Sequence, residues 1–311
     1  MKKPNILIVG SLNMDLFVMG ANKVPTYGES VLCGEYGFST GGKGANQALA
    51  FAKLGGNVSM VGCVGKDNFG EKLISSLNND GVNTSFINVK EDCQTGIAIM
   101  LVQDETAKYV CYVGMGANNY IEEKDVEKAI RSANFDMIVM QLEMPLGVVY
   151  KIVELGRELH IPIFLDAGPP RDIDMSRLKG IDFISPNEAE TFALTGIEIL
   201  DTASAKKAAK YLYDNILPKY VLLKIGEKGS LLYDGDKYLE VPAFKVNAVD
   251  TTAAGDTFGA GFVIQHCSGE SLENSITFAT AAAGICVSKK GAQTSIPDKK
   301  EVDKFLRSVK K

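Results

Sequence analysis

The residues best suited to chemistry fall into a few short stretches, each setting small residues beside a charged one. Asp250-Thr-Thr252-Ala253-Ala254-Gly255-Asp256-Thr257-Phe258 runs into a long helical pattern with an acid at the junction. A helix start carries N–H groups with no partner inside the helix, and the positive end of its dipole, which together suit a phosphoryl group. Asp256 could take a proton from an attacking hydroxyl there; taken alone, it has the simpler explanation of an N-cap. A second stretch, Gly41-Gly42-Lys43-Gly44, leads into Ala45-Asn46-Gln47-Ala48. Its glycines would let backbone N–H groups approach a polar ligand closely, or would simply form a tight turn. The segment comes within one residue of a Walker A motif, but that motif needs Ser or Thr after the lysine, and Gly44 stands there. The stretch also follows a β-ribbon pattern and no buried parallel strand, so it is not a Walker A loop. Asn187, Glu188 and Glu190 follow one strand pattern, Lys224, Gly226 and Gly229 another, and Glu143 a third. Such strand ends are where α/β proteins place ligands, though Asn187 would also serve as a helix cap.

Composition narrows the chemistry. The 311 residues include 33 basic and 38 acidic ones, a net charge of −5, which argues against a nucleic-acid or anionic-membrane binder. Any phosphate must be handled by a few local groups. Only His160 and His266 supply imidazole; both fall in helical patterns and are expected to be structural, leaving proton transfer to carboxylates. The six cysteines are scattered without a C-x-x-C pair, as in a protein that keeps its thiols reduced. The start of the chain shows no targeting pattern and no apolar run approaches ~20 residues, so a cytoplasmic protein is expected.

These stretches need a frame that brings them together. Short apolar runs at 6–10, 58–64, 137–141, 162–166, 182–185 and 220–225 read as buried strands. Helical patterns lie between them at 46–54, 70–79, 122–132, 146–159, 188–194 and 202–215, with Asp201 as an N-cap and Gly55 and Gly196 as stops. The alternation predicts an α/β fold, a mostly parallel sheet with helices on both faces. Two regions break it: 16–20 with 31–38, and 96–102 with 108–113, read as β-ribbons that could form one small inserted sheet. The second ribbon would turn at 103–107, and a further hairpin is expected at Asp234-Gly235. Beyond residue 250 the chain reads as helical.

The wording and order of the stretches are more specific than any one of them. Gly10-Ser-Leu-Asn13-Met-Asp15, Gly41-Gly-Lys-Gly-Ala-Asn46-Gln, Gln141-Leu-Glu143, Pro186-Asn187-Glu-Ala-Glu190, Ala253-Ala-Gly-Asp256-Thr-Phe and Lys290-Gly-Ala-Gln293 occur in one order. Together they resemble the ribokinase family of sugar kinases over almost the whole chain. The resemblance implies a doubly wound core at 1–12, 41–94 and 117–311 and a β-sheet lid at 13–40 and 95–116 that also pairs two subunits. It implies ATP-dependent phosphorylation of a sugar, most narrowly D-ribose at its C5 hydroxyl, with another sugar or a nucleoside as the alternative acceptor. Asn13, Asp15, Gly42, Lys43, Asn46 and Glu143 would hold the sugar, Asp256 would be the base, and N–H groups of Ala253, Ala254, Gly255 and Asp256 would cradle the phosphoryl. Asn187, Lys224, Gly226, Gly229, Gly255 and Thr280 would line the ATP site, with Glu190 acting on Mg²⁺ through water. Oxygens at Asp250, Thr252, Cys286, Lys289, Gly291 and Ser295 would hold K⁺. The chain departs from the family at Asp166, where Asn is common, at Lys224, where Thr is common, and at Thr280, in place of His. Tyr112, on a lid strand, is the one aromatic expected near the pocket mouth.

Overall fold

The computed structural model describes residues 3–21, 23–103 and 109–309. Strand β1 (Asn5–Val9) explains the architecture in miniature: Ile6 and Ile8 enter one hydrophobic core, Leu7 and Val9 another. A strand buried on both faces needs cover on both, which parallel sheets obtain from crossover helices. After β1 the chain leaves the main sheet for β2 (Asn13–Ala21) and β3 (Glu35–Gly41), an antiparallel pair. It returns through α1 (Lys43–Lys53), β4 (Asn57–Gly65), α2 (Asn68–Asn79) and β5 (Asn83–Lys90). A second departure makes β6 (Gly96–Gln103) and β7 (Tyr109–Gly114). The main domain continues with α3 (Glu123–Ile130), β8 (Met137–Met140), α4 (Leu146–Leu159), β9 (Ile163–Leu165) and β10 (Phe183–Ile184). Then come α5 (Glu188–Thr195), α6 (Thr202–Ile216), β11 (Tyr220–Lys224), β12 (Ser230–Tyr233) and β13 (Tyr238–Val241). Helices α7 (Ala254–Cys267), α8 (Leu272–Val287) and α9 (Lys299–Val309) close the chain.

The large sheet has the order β13-β12-β11-β10-β9-β8-β1-β4-β5, parallel except at the β11–β12 and β12–β13 pairs. Helices α1, α2, α7, α8 and α9 pack on one face through Leu49, Leu73, Phe262, Ile276 and Val302. Helices α3, α4 and α6 cover the other through Val126, Ile152 and Leu212. The two ribbons join through a parallel β2–β6 pair into a separate sheet, β3-β2-β6-β7. Of the turn expected at 103–107 only Gln103, the end of β6, is described; residues 104–108 lie outside the described residues.

Local signals behave as their chemistry requires. Asp201 and Ser204 form a capping box at α6, Gly196 ends α5 at φ 67°, and Gly235 turns the β12–β13 hairpin at φ 97°. Three expectations need correction. His160 is not within a helix: it ends α4 in the left-handed conformation, φ 54°. The first ribbon starts earlier, at Asn13, and its second strand begins only at Glu35, because the Gly34 N–H to Met19 carbonyl bond is its last rung. Helix α1 starts at Lys43, not at Asn46, so the glycine turn feeds straight into it. His266 is structural, its ring stacked on Phe262 at 5.7 Å. Among the described residues no helix is long and apolar enough to cross a membrane.

Candidate active site

Five parallel strands end on one side of the large sheet: Lys224 is the last residue of β11, and the chain leaving the other four carries Ser11, Glu143, Asp166 and Asn187. The glycine turn lies against the first of these exits. Gly42 has φ 88°, and a Cβ there would stand 2.7 Å from the Asn13 nitrogen. A Cβ on Gly44 would sit 2.6 Å from the Ser11 nitrogen, and one on Gly41 would collide with the Asp15 carboxylate. Glycine is needed three times because the turn and residues 10–15 share one space. Ser11 locks the junction: its hydroxyl donates to Glu143 and accepts from Gly44 N–H at 3.3 Å. The Lys43 N–H also donates to Glu143, at 3.2 Å.

Around this turn Asn13, Asp15, Asn46 and Glu143 are all buried. Asn118 donates to Asn13 Oδ1 at 2.8 Å and is itself held by the backbone of Leu12. Asn46 Oδ1 is buried with no hydrogen-bond partner. Burial, reinforced by Glu143 and Asp256, pushes Asp15 up to about 7. An orphaned amide oxygen and a carboxylate driven toward protonation both ask for a ligand rich in hydroxyl groups.

Deeper in the cleft two lysines converge on one acid. Asp166, following β9, accepts from Lys43 Nζ at 3.0 Å and from Lys224 Nζ. Burial alone would raise the Asp166 pKa, but Lys224 and Lys43 pull it down to about 2. Burial likewise works against the Lys43 ammonium, yet Asp166, Asp256, Glu190 and Glu143 outweigh it and hold its pKa well above the ordinary lysine value. Glu190 stands 3.9 Å from both ammonium groups. Gln47 bridges the acids, its Nε2 3.1 Å from both Asp166 and Asp256.

Asp256 lies in the first turn of α7 but does not cap it. The N-cap is Ala253, left-handed at φ 61°, and it makes no side-chain cap bond. The Asp256 carboxylate instead faces Gln47, and burial pushes it up to about 6 against the pull of Lys43 and Lys224. Of the first-turn N–H groups of α7, that of Ala254, expected in the cradle, is already given to the Thr251 carbonyl at 3.2 Å, which leaves those of Gly255 and Asp256 to meet a ligand; a Cβ on Gly255 would lie 3.4 Å from Lys224 Nζ. One end of one helix thus offers N–H donors, a lysine and a carboxylate poised between its protonation states near neutral pH.

The remaining expected residues divide. Asn187 is a helix cap, and with Glu190 it completes a capping box, both bonds at 2.8 Å. Gly226 and Gly229 turn the chain between β11 and β12 at φ 47° and 101°. Thr280 lies in α8 with its hydroxyl given to Ile276, joining none of these groups among the described residues. Asp250 accepts from Thr252 N–H at 2.9 Å and from Gly291 N–H at 2.9 Å, and Cys286 Sγ lies 3.0 Å from Ser295 Oγ and 3.6 Å from the Thr252 carbonyl. These five residues therefore form one knot directly before α7. Lys289 bonds Cys286 through its backbone and sends its side chain to Glu301. Besides the Cys286 thiol, the knot holds carbonyl, hydroxyl and carboxylate oxygens, donors of the kind that suit a hard cation.

Sequence reasoning missed four members. Asp166 stood out only as a departure, and Gln47, Ser11 and Asn118 carried no role. Gln47 could have been placed, since it lies one helical turn beyond Lys43. Nothing local marks Asn118, which arrives from 105 residues away.

Residues 3–299 match the pfkB family of carbohydrate kinases. The ribokinase of Haemophilus influenzae is 35% identical over 308 residues, covering 98% of this chain and 99% of that protein. The deoxyribokinase of Salmonella typhi is 34% identical over 304 residues, covering 97% and 98%. Among solved structures, Arabidopsis thaliana ribokinase complexed with ribose and ATP superposes with a TM-score of 0.89 at 32% identity, covering 98% of this chain and 99% of that one. Matched by the family over residues 3–299 and by relatives over almost its whole length, the chain is a sugar kinase and belongs to the pfkB carbohydrate kinase family.

Proposed function

We propose that this kinase transfers the γ-phosphoryl group of ATP to the C5 hydroxyl of D-ribose, giving ribose 5-phosphate and ADP. The observation that carries the reading is the buried quartet Asn13, Asp15, Asn46 and Glu143, set beside Asp256 at the start of α7. Asp256 takes the hydroxyl proton as the oxygen attacks phosphorus in line and the bond to ADP breaks. The first-turn N–H groups of α7 receive the charge on the transferring group. Asn187, Lys224, Gly226, Gly229 and Thr280 belong to the ATP side.

Mg²⁺ arriving with ATP would offset phosphate charge, and Glu190 would meet it through water, its carboxylate being already held by Asn187 N–H. The oxygen-lined knot of Asp250, Thr252, Cys286, Lys289, Gly291 and Ser295 would hold K⁺ and stiffen the Ala253–Asp256 turn that it adjoins. The small sheet acts as a lid and pairs two copies of the chain; the exposed Tyr36, Phe38 and Tyr112 on one of its faces support that pairing.

Strand register favours a free sugar over a nucleoside. Asp15 stands opposite Ala98, and Ala98 opposite Val113, so Tyr112 belongs to the other face of the small sheet. No aromatic platform for a base then hangs over Asp15 from β7. Deoxyribose is the second reading, raised by the Salmonella typhi relative. A site built for a hydroxyl rejects the analogue lacking it by up to about 10⁴–10⁵ when fully closed. We expect ribose to exceed 2-deoxyribose by about tenfold or more in kcat/KM, and to exceed adenosine, in an ADP-release assay with Mg-ATP. Deoxyribose or adenosine with the higher kcat/KM would remove ribose as the acceptor.

A further inference from the structure

Lys224 and Asp166, two of the three positions at which the sequence departs from the family it resembles, touch each other. They leave strands β11 and β9, which flank β10, so the Lys224 side chain reaches across one strand end to Asp166. Asp166 holds Lys43 with its other oxygen. Both ammonium groups are thereby stationed near the start of α7, Lys224 beside Gly255 and Lys43 facing Asp166 and Glu190. The Lys224 side chain is only 12% exposed. A buried lysine whose neighbours are two carboxylates and a helix N-terminus costs desolvation for little structural return, since apolar side chains would fill the space as well. Its position makes sense for a terminal phosphoryl group, which carries about two negative charges, brought to the same helix end.

Resting on the phosphoryl-transfer reading, we propose that Lys224 is the side-chain cation that meets the γ-phosphoryl group, and that Asp166 is a positioning residue aiming it. In the transfer, the acceptor oxygen bonds to phosphorus, the bond to ADP breaks and Asp256 takes the proton. Lys224 keeps all its protons and follows the charge on the equatorial oxygens. Before ATP binds, Asp166 neutralises Lys224 and prevents it from turning toward solvent. Its two anchored lysines leave Asp256 between fixed cations, where a threonine at 224 would supply only a neutral hydroxyl.

The test uses the full-length chain and its Lys224→Met, Lys224→Gln and Asp166→Asn variants. Calorimetry with Mg-AMP-PNP and Mg-ADP measures how strongly each distinguishes a triphosphate from a diphosphate, and ADP release gives kcat and KM. Lys224→Met and Lys224→Gln should each weaken AMP-PNP by about tenfold or more while ADP changes less than about threefold. Their kcat should fall by about 10²–10³-fold, the usual cost of one transition-state donor, with KM for ribose within about threefold. Asp166→Asn should lower kcat by about tenfold or more but leave AMP-PNP binding equal or tighter, a split that lost packing would not produce. The glutamine variant keeps reach and polarity, so it reports the charge even if the methionine variant fails to fold. Unchanged triphosphate preference in a folded Lys224 variant, or kcat within about threefold of wild type, overturns the proposal. Because the binding comparison needs no acceptor, it decides the role of Lys224 even if wild type were to phosphorylate no pentose, which would instead sink the kinase reading for ribose.

Discussion

Asp15 makes sugar binding a proton-linked event. In the free protein it sits at about 7, raised first by burial and then by Glu143 and Asp256. A ribose hydroxyl donating to it stabilises the ionised form, so binding must expel whatever proton Asp15 holds. At pH 5 only about 1% of Asp15 is ionised, so ribose affinity should be about a hundredfold weaker than at pH 8, or about 2.7 kcal/mol at 1.36 per decade. At pH 6 about nine tenths of the molecules carry the proton, and each ribose bound should release about 0.9 protons. Titration calorimetry without nucleotide, repeated in buffers of different ionisation enthalpy, measures both quantities in one series. Asp15→Asn should flatten the pH dependence and abolish most of the proton release. Constant affinity between pH 5 and 8, or proton uptake on binding, would show that Asp15 is not the acceptor.

The same carboxylate should weigh on the fold. Its folded pKa lies above the ordinary 3.8, so its favourable contribution is present below that value and disappears as pH rises through about 7. Asp15→Asn should therefore raise Tm at pH 8, by up to about 4 kcal/mol of stability, with the gain shrinking toward pH 4. For Asp256→Asn, kcat should fall at least about a hundredfold while Mg-ADP binding and the far-ultraviolet dichroism persist; a variant keeping a third of wild-type kcat removes Asp256 as base. Gly42→Ala, at φ 88° and 2.7 Å from the Asn13 nitrogen, should cost about 1–3 kcal/mol in denaturant unfolding and weaken ribose binding more than ADP binding. Replacing K⁺ with a bulky organic cation at matched ionic strength should lower kcat, and equal rates would count against a K⁺ site at the Asp250–Ser295 knot.

What could be read from sequence was whatever a few consecutive residues decide among themselves. The Asn187 and Asp201 caps and the Gly196 stop depend on contacts three or four residues apart, and the buried strands announce themselves as short apolar runs, so residue types suffice for both. The glycine turn was legible as a tight turn, and the order of the stretches carried the family. Each glycine's necessity, however, comes from a neighbour the turn cannot name: the backbone of residues 10–13 for Gly42 and Gly44, the Asp15 carboxylate for Gly41.

The centre of the site belongs to the tertiary structure. Lys43, Asp166 and Lys224 are separated by 123 and 58 residues, and only the order of β9, β10 and β11 brings them to one point. Asp256 could pass for a helix cap in sequence; the fold gives the cap position to Ala253 and turns the carboxylate toward Gln47. The face taken by Tyr112 follows from the pairing of β6 with β2 and β7, a register that composition does not encode. The proton affinities are least local of all. An aspartate in sequence is an acid near 3.8; Asp15 at about 7, Asp256 at about 6 and Asp166 at about 2 differ because burial and charge act on each from every element around it. Short-range geometry is written in residue type, whereas desolvation and long-range charge exist only once the chain has closed on itself.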